Sequence, residues 1–170
     1  LRPRRQRQMC IRDRCNDKWG NPSDLIDQTL TLKATSPVKN LPDTVTFKNG
    51  DFCKVIEDLN VSDCDHLEVH ILNEDGDVLT SSNTLVIRPS ERQHFWSDMH
   101  AQSGETIGVG TAREYFEFAR NKAFVDIAGH QGNDFQITDA FWKHLNELTV
   151  EFNEPGRFLT IPGYEWSGNT

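Results

Sequence analysis

The sequence predicts an α+β chain of two parts: an antiparallel β-sandwich, followed by the truncated start of a parallel (β/α) barrel. In residues 15–93, apolar and polar residues alternate in short runs separated by turn residues, which is typical of strands with one buried face. In residues 94–170, three short strands alternate with two helical segments, which is typical of a parallel α/β sheet or barrel. We therefore expect a β-sandwich-like domain at 15–93 and the first three βα units of a barrel at 94–170.

The first part shows its strands by a period of two. In residues 26–34, four of the five even positions are apolar, namely Ile26, Leu30, Leu32 and Ala34, and Val45 and Phe47 repeat this pattern after a Leu-Pro break. The Asp75-Gly76 pair between two alternating runs predicts a hairpin. Leu85 and Ile87 indicate a last strand, so the whole segment resembles a small sandwich of short strands.

The second part shows strands and helices in turn. Strands are expected at residues 95–100, 124–128 and 158–161. Thr111 and Glu114 have the spacing of a capping box before the first helix, and Thr138 can cap the second. The apolar face of the second helix is formed by Phe141, Leu145, Leu148 and Phe152. Because three strands do not close such a domain, we expect it to be truncated at Thr170.

Composition indicates a water-soluble chain. The 170 residues carry a net charge of −8 and are 36% hydrophobic, and no apolar run approaches the roughly 20 residues that a membrane helix needs. The acidic charge argues against nucleic acid as a partner, because phosphate backbones require a basic face. The compartment stays open between cytoplasm and export, with the cytoplasm slightly favoured, and so does the oligomeric state.

The first 14 residues differ from the rest of the chain, because they contain six arginines and one acidic residue. The run RRQRQMCIRDR, from Arg4 to Arg14, resembles the in-frame translation of a common transposase sequencing adapter. We therefore expect residues 1–14 to be a disordered assembly artefact and the natural protein to begin upstream of Cys15. The remaining cysteines have no Cys-x-x-Cys spacing, so neither a zinc knuckle nor a full disulfide framework is predicted.

Polar residues at the predicted strand ends indicate a metal site. Asp98 and His100 end the first strand of the second part, His130 with Asp134 follows the second, and Glu165 follows the third. In α/β barrels the reacting groups lie at the carboxyl ends of the strands. Imidazole and carboxylate are ligands that Zn, Mn or Fe accept, and a bound ion turns a water into hydroxide near neutral pH. The number of ions stays open.

Three segments, FWSDMHAQSGETIG, GHQGNDFQIT and PGRFLTIPGYEWSGNT, carry a family resemblance. Residues 15–170 resemble a large bacterial family of uncharacterised proteins that join an N-terminal β domain to a metal-dependent hydrolase barrel of the PHP (polymerase and histidinol phosphatase) superfamily. The resemblance implies a distorted (β/α)7 barrel that holds up to three divalent ions and often hydrolyses phosphoesters.

The first superfamily motif, Asp-Leu-His-x-His, is matched in part. Asp98, Met99 and His100 fit it, but Gln102 stands where the second histidine belongs. The resemblance implies that His100 is a metal ligand. Asp98 would orient an imidazole, and Gln102 would hydrogen-bond the substrate or a metal-bound water.

The second motif, Asp-His at a strand end, is also matched in part. His130 fits, whereas Gly129 replaces the aspartate; Glu165 matches the glutamate that bridges metals in the superfamily. The resemblance implies that His130 and Glu165 are ligands, and Asp134 could supply a further carboxylate oxygen.

These observations favour a fragment of a PHP-like metal-dependent hydrolase that acts on a small-molecule phosphoester or related ester, and that is inactive as the fragment alone. Two alternatives stay open. Asp98 and Glu165 could form the carboxylate pair of a glycoside hydrolase. The substitutions at Gln102 and Gly129 could instead mark a non-catalytic binding protein on a degenerate barrel.

Overall fold

A computed structural model describes residues 8–61, 64–87 and 95–168. The chain divides into two compact units, one within residues 3–92 and the other within residues 93–170. The predicted domain boundary at residues 93 and 94 lies outside the described residues.

The first unit is built from antiparallel strands. The strands are β1 (Gln8–Arg14), β2 (Gln28–Ala34), β3 (Val38–Lys39), β4 (Thr44–Phe47), β5 (Cys53–Val61), β6 (His66–Leu67), β7 (Val69–Leu72), β8 (Val78–Ser81) and β9 (Leu85–Val86). They form a four-stranded sheet in the order β4-β2-β7-β8, a three-stranded sheet in the order β1-β5-β3 and a β6-β9 pair.

The core of the first unit lies between its two larger sheets. Alternate residues of β2, β4 and β7 are buried, as the period of two predicts. They share one apolar cluster with Leu59 of β5, which is fully buried. The predicted hairpin is also present, since β7 pairs with β8 around the turn at Gly76.

Residues 8–14 form β1 and pair with β5. The expectation that this segment is disordered is therefore wrong for residues 8–14. The physical reason is that β5 offers backbone donors and acceptors on both sides, to β1 on one and to β3 on the other. Backbone pairing of this kind does not depend on the unusual composition of the segment.

The second unit combines a parallel sheet with two α-helices. The elements are β10 (Ser97–Ala101), α1 (Ala112–Phe118) with a π-helical turn (Ala119–Ala123), β11 (Ile127–His130), β12 (Gly132–Asn133), a 3-10 turn (Asp134–Gln136), α2 (Asp139–Phe152), β13 (Leu159–Ile161) and β14 (Tyr164–Glu165). The sheet has the order β10-β11-β13, and a separate parallel pair joins β12 to β14.

The two helices begin where the sequence predicts. The Thr111 and Glu114 side chains each accept a hydrogen bond from the other residue's backbone N–H, which completes a capping box at α1. The Thr138 hydroxyl accepts from the backbone N–H of Phe141 at the start of α2. The predicted apolar face of α2 is buried against α1 and the sheet. No helix in the described residues is long and apolar enough to cross a membrane.

The prediction of a (β/α)7 barrel is wrong for the described residues. They contain two α-helices and small separate sheets, and β10 and β13 each have a neighbour on one side only. A barrel requires every strand to pair on both sides, with a matching tilt and register shift. Alternating strands and helices determine parallel pairing between neighbouring strands, but they do not determine whether the sheet closes into a barrel.

Candidate functional site

The polar residues that the sequence analysis predicts for a metal site lie around the carboxyl ends of the parallel strands. His100 is in β10 and Gln102 follows it directly, while His130 ends β11. Glu165 lies in β14, where its backbone partner in the parallel pair is Asn133 of β12. The short β12–β14 pair thus places an amide side chain beside the carboxylate.

The Glu165 carboxylate is the centre of this group. Its Oε2 atom accepts hydrogen bonds from Nδ2 of Asn133 at 3.2 Å and from Nε2 of Gln102 at 3.4 Å. Nε2 of His100 lies 3.6 Å from the same oxygen. The His100 side chain is 70% exposed and that of Glu165 is 40% exposed, so solvent reaches both. Two amides therefore orient a carboxylate that an imidazole approaches from the solvent side.

Gln102 connects Glu165 to the loop that follows β10. Its Nε2 also donates to Oδ1 of Asn133 at 3.1 Å, and its Oε1 accepts from the hydroxyl of Thr106 at 3.1 Å. Both ends of the amide are therefore engaged, which sets its orientation. The structure brings Gln102, Glu165 and His100 together.

His130 is placed differently from the other predicted ligands, because it is fully buried. Its Nδ1 accepts from the backbone N–H of Gly132 at 3.3 Å, and its Nε2 lies 2.8 Å from Oγ of Ser103. Burial lowers the pKa of the imidazole, and the charge of Glu105 only partly offsets this. A neutral ring with both nitrogens in hydrogen bonds has no lone pair left for a metal in this arrangement.

Asp98 acts through the backbone. Its Oδ1 accepts a long hydrogen bond of 3.3 Å from the N–H of His100. Its carbonyl oxygen accepts from the hydroxyl of Tyr115 at 3.2 Å. Burial, and then the Asp98 charge, raises the pKa of Tyr115, which keeps this hydroxyl a donor. Asp98 thus orients the backbone at the end of β10. The sequence analysis had assigned it to an imidazole ring instead.

Asp134 and Gly129 have structural roles of their own. Oδ1 of Asp134 accepts from the N–H of Phe135 at 2.9 Å, and its side chain lines a groove with Trp142 and Tyr164. A Cβ on Gly129 would lie 3.1 Å from Cε of Met99. The glycine therefore matches a close approach between β10 and β11, and a larger residue there would require a small shift of the end of the Met99 side chain.

Three residues of the site were not predicted from the sequence. Asn133 and Thr106 orient Glu165 and Gln102, and Ser103 holds His130. The only sequence signal for Asn133 is its place between His130 and Asp134, directly after a strand end. Among the described residues, no three His, Cys, Asp or Glu side chains form a group that could hold one ion. Of the predicted ligands, His100 and Glu165 are the two that lie side by side in the described residues.

Comparisons with known proteins give a family and a distant relative. Residues 67–170 match the family described as protein of unknown function (DUF3604). An uncharacterised protein of Chlamydia pneumoniae is 28% identical over 76 residues, which is 43% of this chain and 12% of the relative. The chain thus spans about one eighth of the length of this curated relative. No solved structure is significantly similar to the chain.

Proposed function

Because the chain belongs to the family of proteins of unknown function DUF3604, we propose its function from the candidate site itself. The proposed activity is metal-dependent hydrolysis of a phosphoester or related ester, with His100 and Glu165 as metal ligands. The activity belongs to the whole protein, of which this chain supplies part of the centre.

The observation that carries the proposal is the distance of 3.6 Å between Nε2 of His100 and Oε2 of Glu165. Two ligands of one ion must lie close together, and imidazole and carboxylate are the nitrogen and oxygen donors that Zn, Mn and Fe accept. Both side chains are accessible to an ion from solvent. The pair therefore fits a divalent metal, whereas buried His130 does not fit as a third ligand.

The surrounding amides support a metal-binding role for Glu165. Residues that orient a ligand by hydrogen bonds contribute to metal affinity almost as ligands do. Asn133 and Gln102 both donate to Oε2, which restricts the carboxylate to the side that His100 approaches. When bound, the metal would supply a water with a pKa near neutrality. The Gln102 amide would position the substrate or that water by hydrogen bonds.

The proposal is tested by calorimetric titration of the chain with Zn²⁺ and with Mn²⁺. We expect one ion to bind per chain, and we expect His100→Ala and Glu165→Gln each to weaken binding at least about tenfold. His144→Ala is the matched control, because His144 is an exposed histidine on α2 outside the site. Equal affinity in all four proteins would contradict the proposal.

The chemistry is tested separately with a chromogenic phosphodiester and the full-length protein. We expect turnover to depend on the added ion, to stop with a chelator and to be lost in His100→Ala. A glycoside hydrolase with a carboxylate pair would instead be insensitive to the chelator. Absence of both metal binding and turnover would favour the non-catalytic binding protein.

A further inference from the structure

A groove in the second unit lies next to Glu165 and is lined by neither of the two proposed metal ligands, His100 and Glu165. Its volume is about 220 Å³, and it is lined by Asp134, Ile137, Thr138, Asp139, Trp142 and Tyr164. Tyr164 directly precedes Glu165, and Asp134 directly follows Asn133. A ligand in the groove would therefore lie beside the proposed site.

Two aromatic side chains form one corner of the groove. The ring centroids of Trp142 and Tyr164 are 5.9 Å apart, and the ring planes are inclined by 82°. Tyr164 is 48% exposed, so its surface is available to a ligand. The faces of aromatic rings carry a negative electrostatic potential and attract cations, above all alkylated ammonium groups.

The charged residues of the groove are both acidic. Asp134 and Asp139 line it together with the rings, and no lining residue is basic. Within the described residues, the ion pairs of the second unit do not involve either aspartate. Residues 93–170 contain five basic and eleven acidic side chains, a net charge of −6. This charge distribution favours a cationic ligand.

The start of α2 also faces this region, and a helix N-terminus by itself favours an anion. Two features oppose an anion here. The Thr138 hydroxyl already accepts from the N–H of Phe141, and Asp139 places a carboxylate in the first turn. An anion in the groove would approach two carboxylates without a basic partner.

We propose that this groove binds the alkylammonium group of a small organic ligand. The rings contact its methyl or methylene groups, and the two carboxylates balance its charge. The groove volume suits a headgroup rather than a large molecule. The proposal goes beyond the proposed hydrolase, because binding needs neither the metal nor catalysis.

Choline is a suitable probe, with dimethylbutanol, its uncharged carbon analogue, as the matched ligand control. The chain has four tryptophans, whose indole N–H signals can be followed by NMR during the titration. With a chelator present, we expect choline to shift the Trp142 signal in a saturable manner, with a dissociation constant on the order of millimolar. Trp19, in the other unit, should not shift.

Matched variants test the lining residues. We expect Asp134→Asn combined with Asp139→Asn to weaken choline binding about tenfold, and Tyr164→Ala to weaken it as well. Glu147→Gln, an exposed carboxylate elsewhere on α2, and Phe135→Ala, an exposed aromatic outside the lining, should bind like the parent. Circular dichroism of each variant checks that it is folded.

Three results would overturn the proposal. The first is that dimethylbutanol binds as tightly as choline, and the second is that inorganic phosphate or methyl glucoside shifts the Trp142 signal in preference to choline. The third is that choline causes no saturable shift of this signal. Because the chelator removes divalent metal, such a failure leaves the metal proposal untouched. Loss of metal binding would equally leave the groove untouched.

Discussion

The buried hydroxyl of Ser103 lies 2.8 Å from Nε2 of His130, and this contact belongs to a chain of hydrogen bonds through three segments of the second unit. Since Nδ1 of His130 accepts from a backbone N–H, Nε2 carries the proton and donates to Ser103. Ser103 in turn hydrogen-bonds the carboxylate of Glu105, which accepts from the N–H of Ala112 at 3.2 Å. This chain connects the end of β11, the loop after β10 and the start of α1.

Replacing Ser103 with alanine should destabilise the second unit. The substitution leaves the buried Nε2–H of His130 without an acceptor, which costs about 1–3 kcal/mol. The free energy of opening can be measured by amide hydrogen exchange within residues 95–168, which reports this unit separately from the other. Ser97→Ala is the control, because Ser97 is exposed in β10. An equal effect of the two substitutions would contradict the assigned contact.

The stability of the second unit should fall as the pH is lowered below His130's ordinary pKa of 6.5. Burial lowers the pKa of this imidazole in the folded chain, so between the two pKa values the unfolded chain binds a proton that the folded chain does not. Stability is therefore fully present above the ordinary pKa and is lost towards the lowered one. The slope cannot exceed about 1.4 kcal/mol per pH unit for one proton.

Hydrogen exchange in the metal-free chain at about pH 7.5 and pH 5.5 measures this dependence. Glu105 does not interfere in that window. Partial burial opposes its ionisation, but hydrogen bonds from Ser103, its own N–H and Ala112 outweigh burial and hold its pKa below the ordinary 4.5. We expect His130→Gln to flatten the slope, and His144→Gln to keep it. A parent chain without the slope would show that His130 titrates normally.

The elements that the sequence predicts well are those with a local pattern. Thr138 has the residue type and the position of a helix cap, and the apolar residues of α2 recur with the helical period. The structure confirms both predictions. Strand β5 does not show a regular period of two, because Asp58 has a positive φ of 57° and the register with β1 shifts at this point. A bulge changes which residues face the core, so the period of two breaks inside the strand.

The site was only partly predictable for a similar reason. His100 and Gln102 lie at the end of β10, a clear element, whereas Glu165 lies in the two-residue strand β14, and the three side chains come together. Asn133 contacts Glu165 through a two-residue parallel pair, which has no periodic signal. His130 lies at the predicted strand end, but the last three residues of β11 are all buried, so no alternation in the sequence indicates that its side chain is enclosed.

Replacing Gly108 with alanine should disturb the loop that holds Gln102. A Cβ at this position would lie 2.6 Å from the carbonyl oxygen of Gln102 and 2.9 Å from the backbone N of Ser103. Because these are backbone atoms, the loop itself must move, at a cost of about 1–3 kcal/mol. The Gln102 side-chain amide signals in NMR should shift as its contact with Glu165 changes. Val109→Ala, at a position that is 99% exposed, should leave them in place.

Truncation of Leu145 should unfold the second unit more readily than truncation elsewhere on the same helix. Leu145 is fully buried in the cluster that joins α1, α2 and the parallel sheet. Removing its side chain to alanine loses buried apolar surface and leaves a cavity, with an expected cost of about 2–5 kcal/mol.

Val150→Ala is the matched control, because Val150 lies on the opposite face of α2 and is 78% exposed. Hydrogen exchange within residues 95–168 should accelerate strongly for Leu145→Ala and little for Val150→Ala, while residues 8–61 should be unaffected in both variants. Equal acceleration in residues 8–61 would show that the two units do not unfold independently. The core that contains Leu145 would then not stabilise the second unit separately.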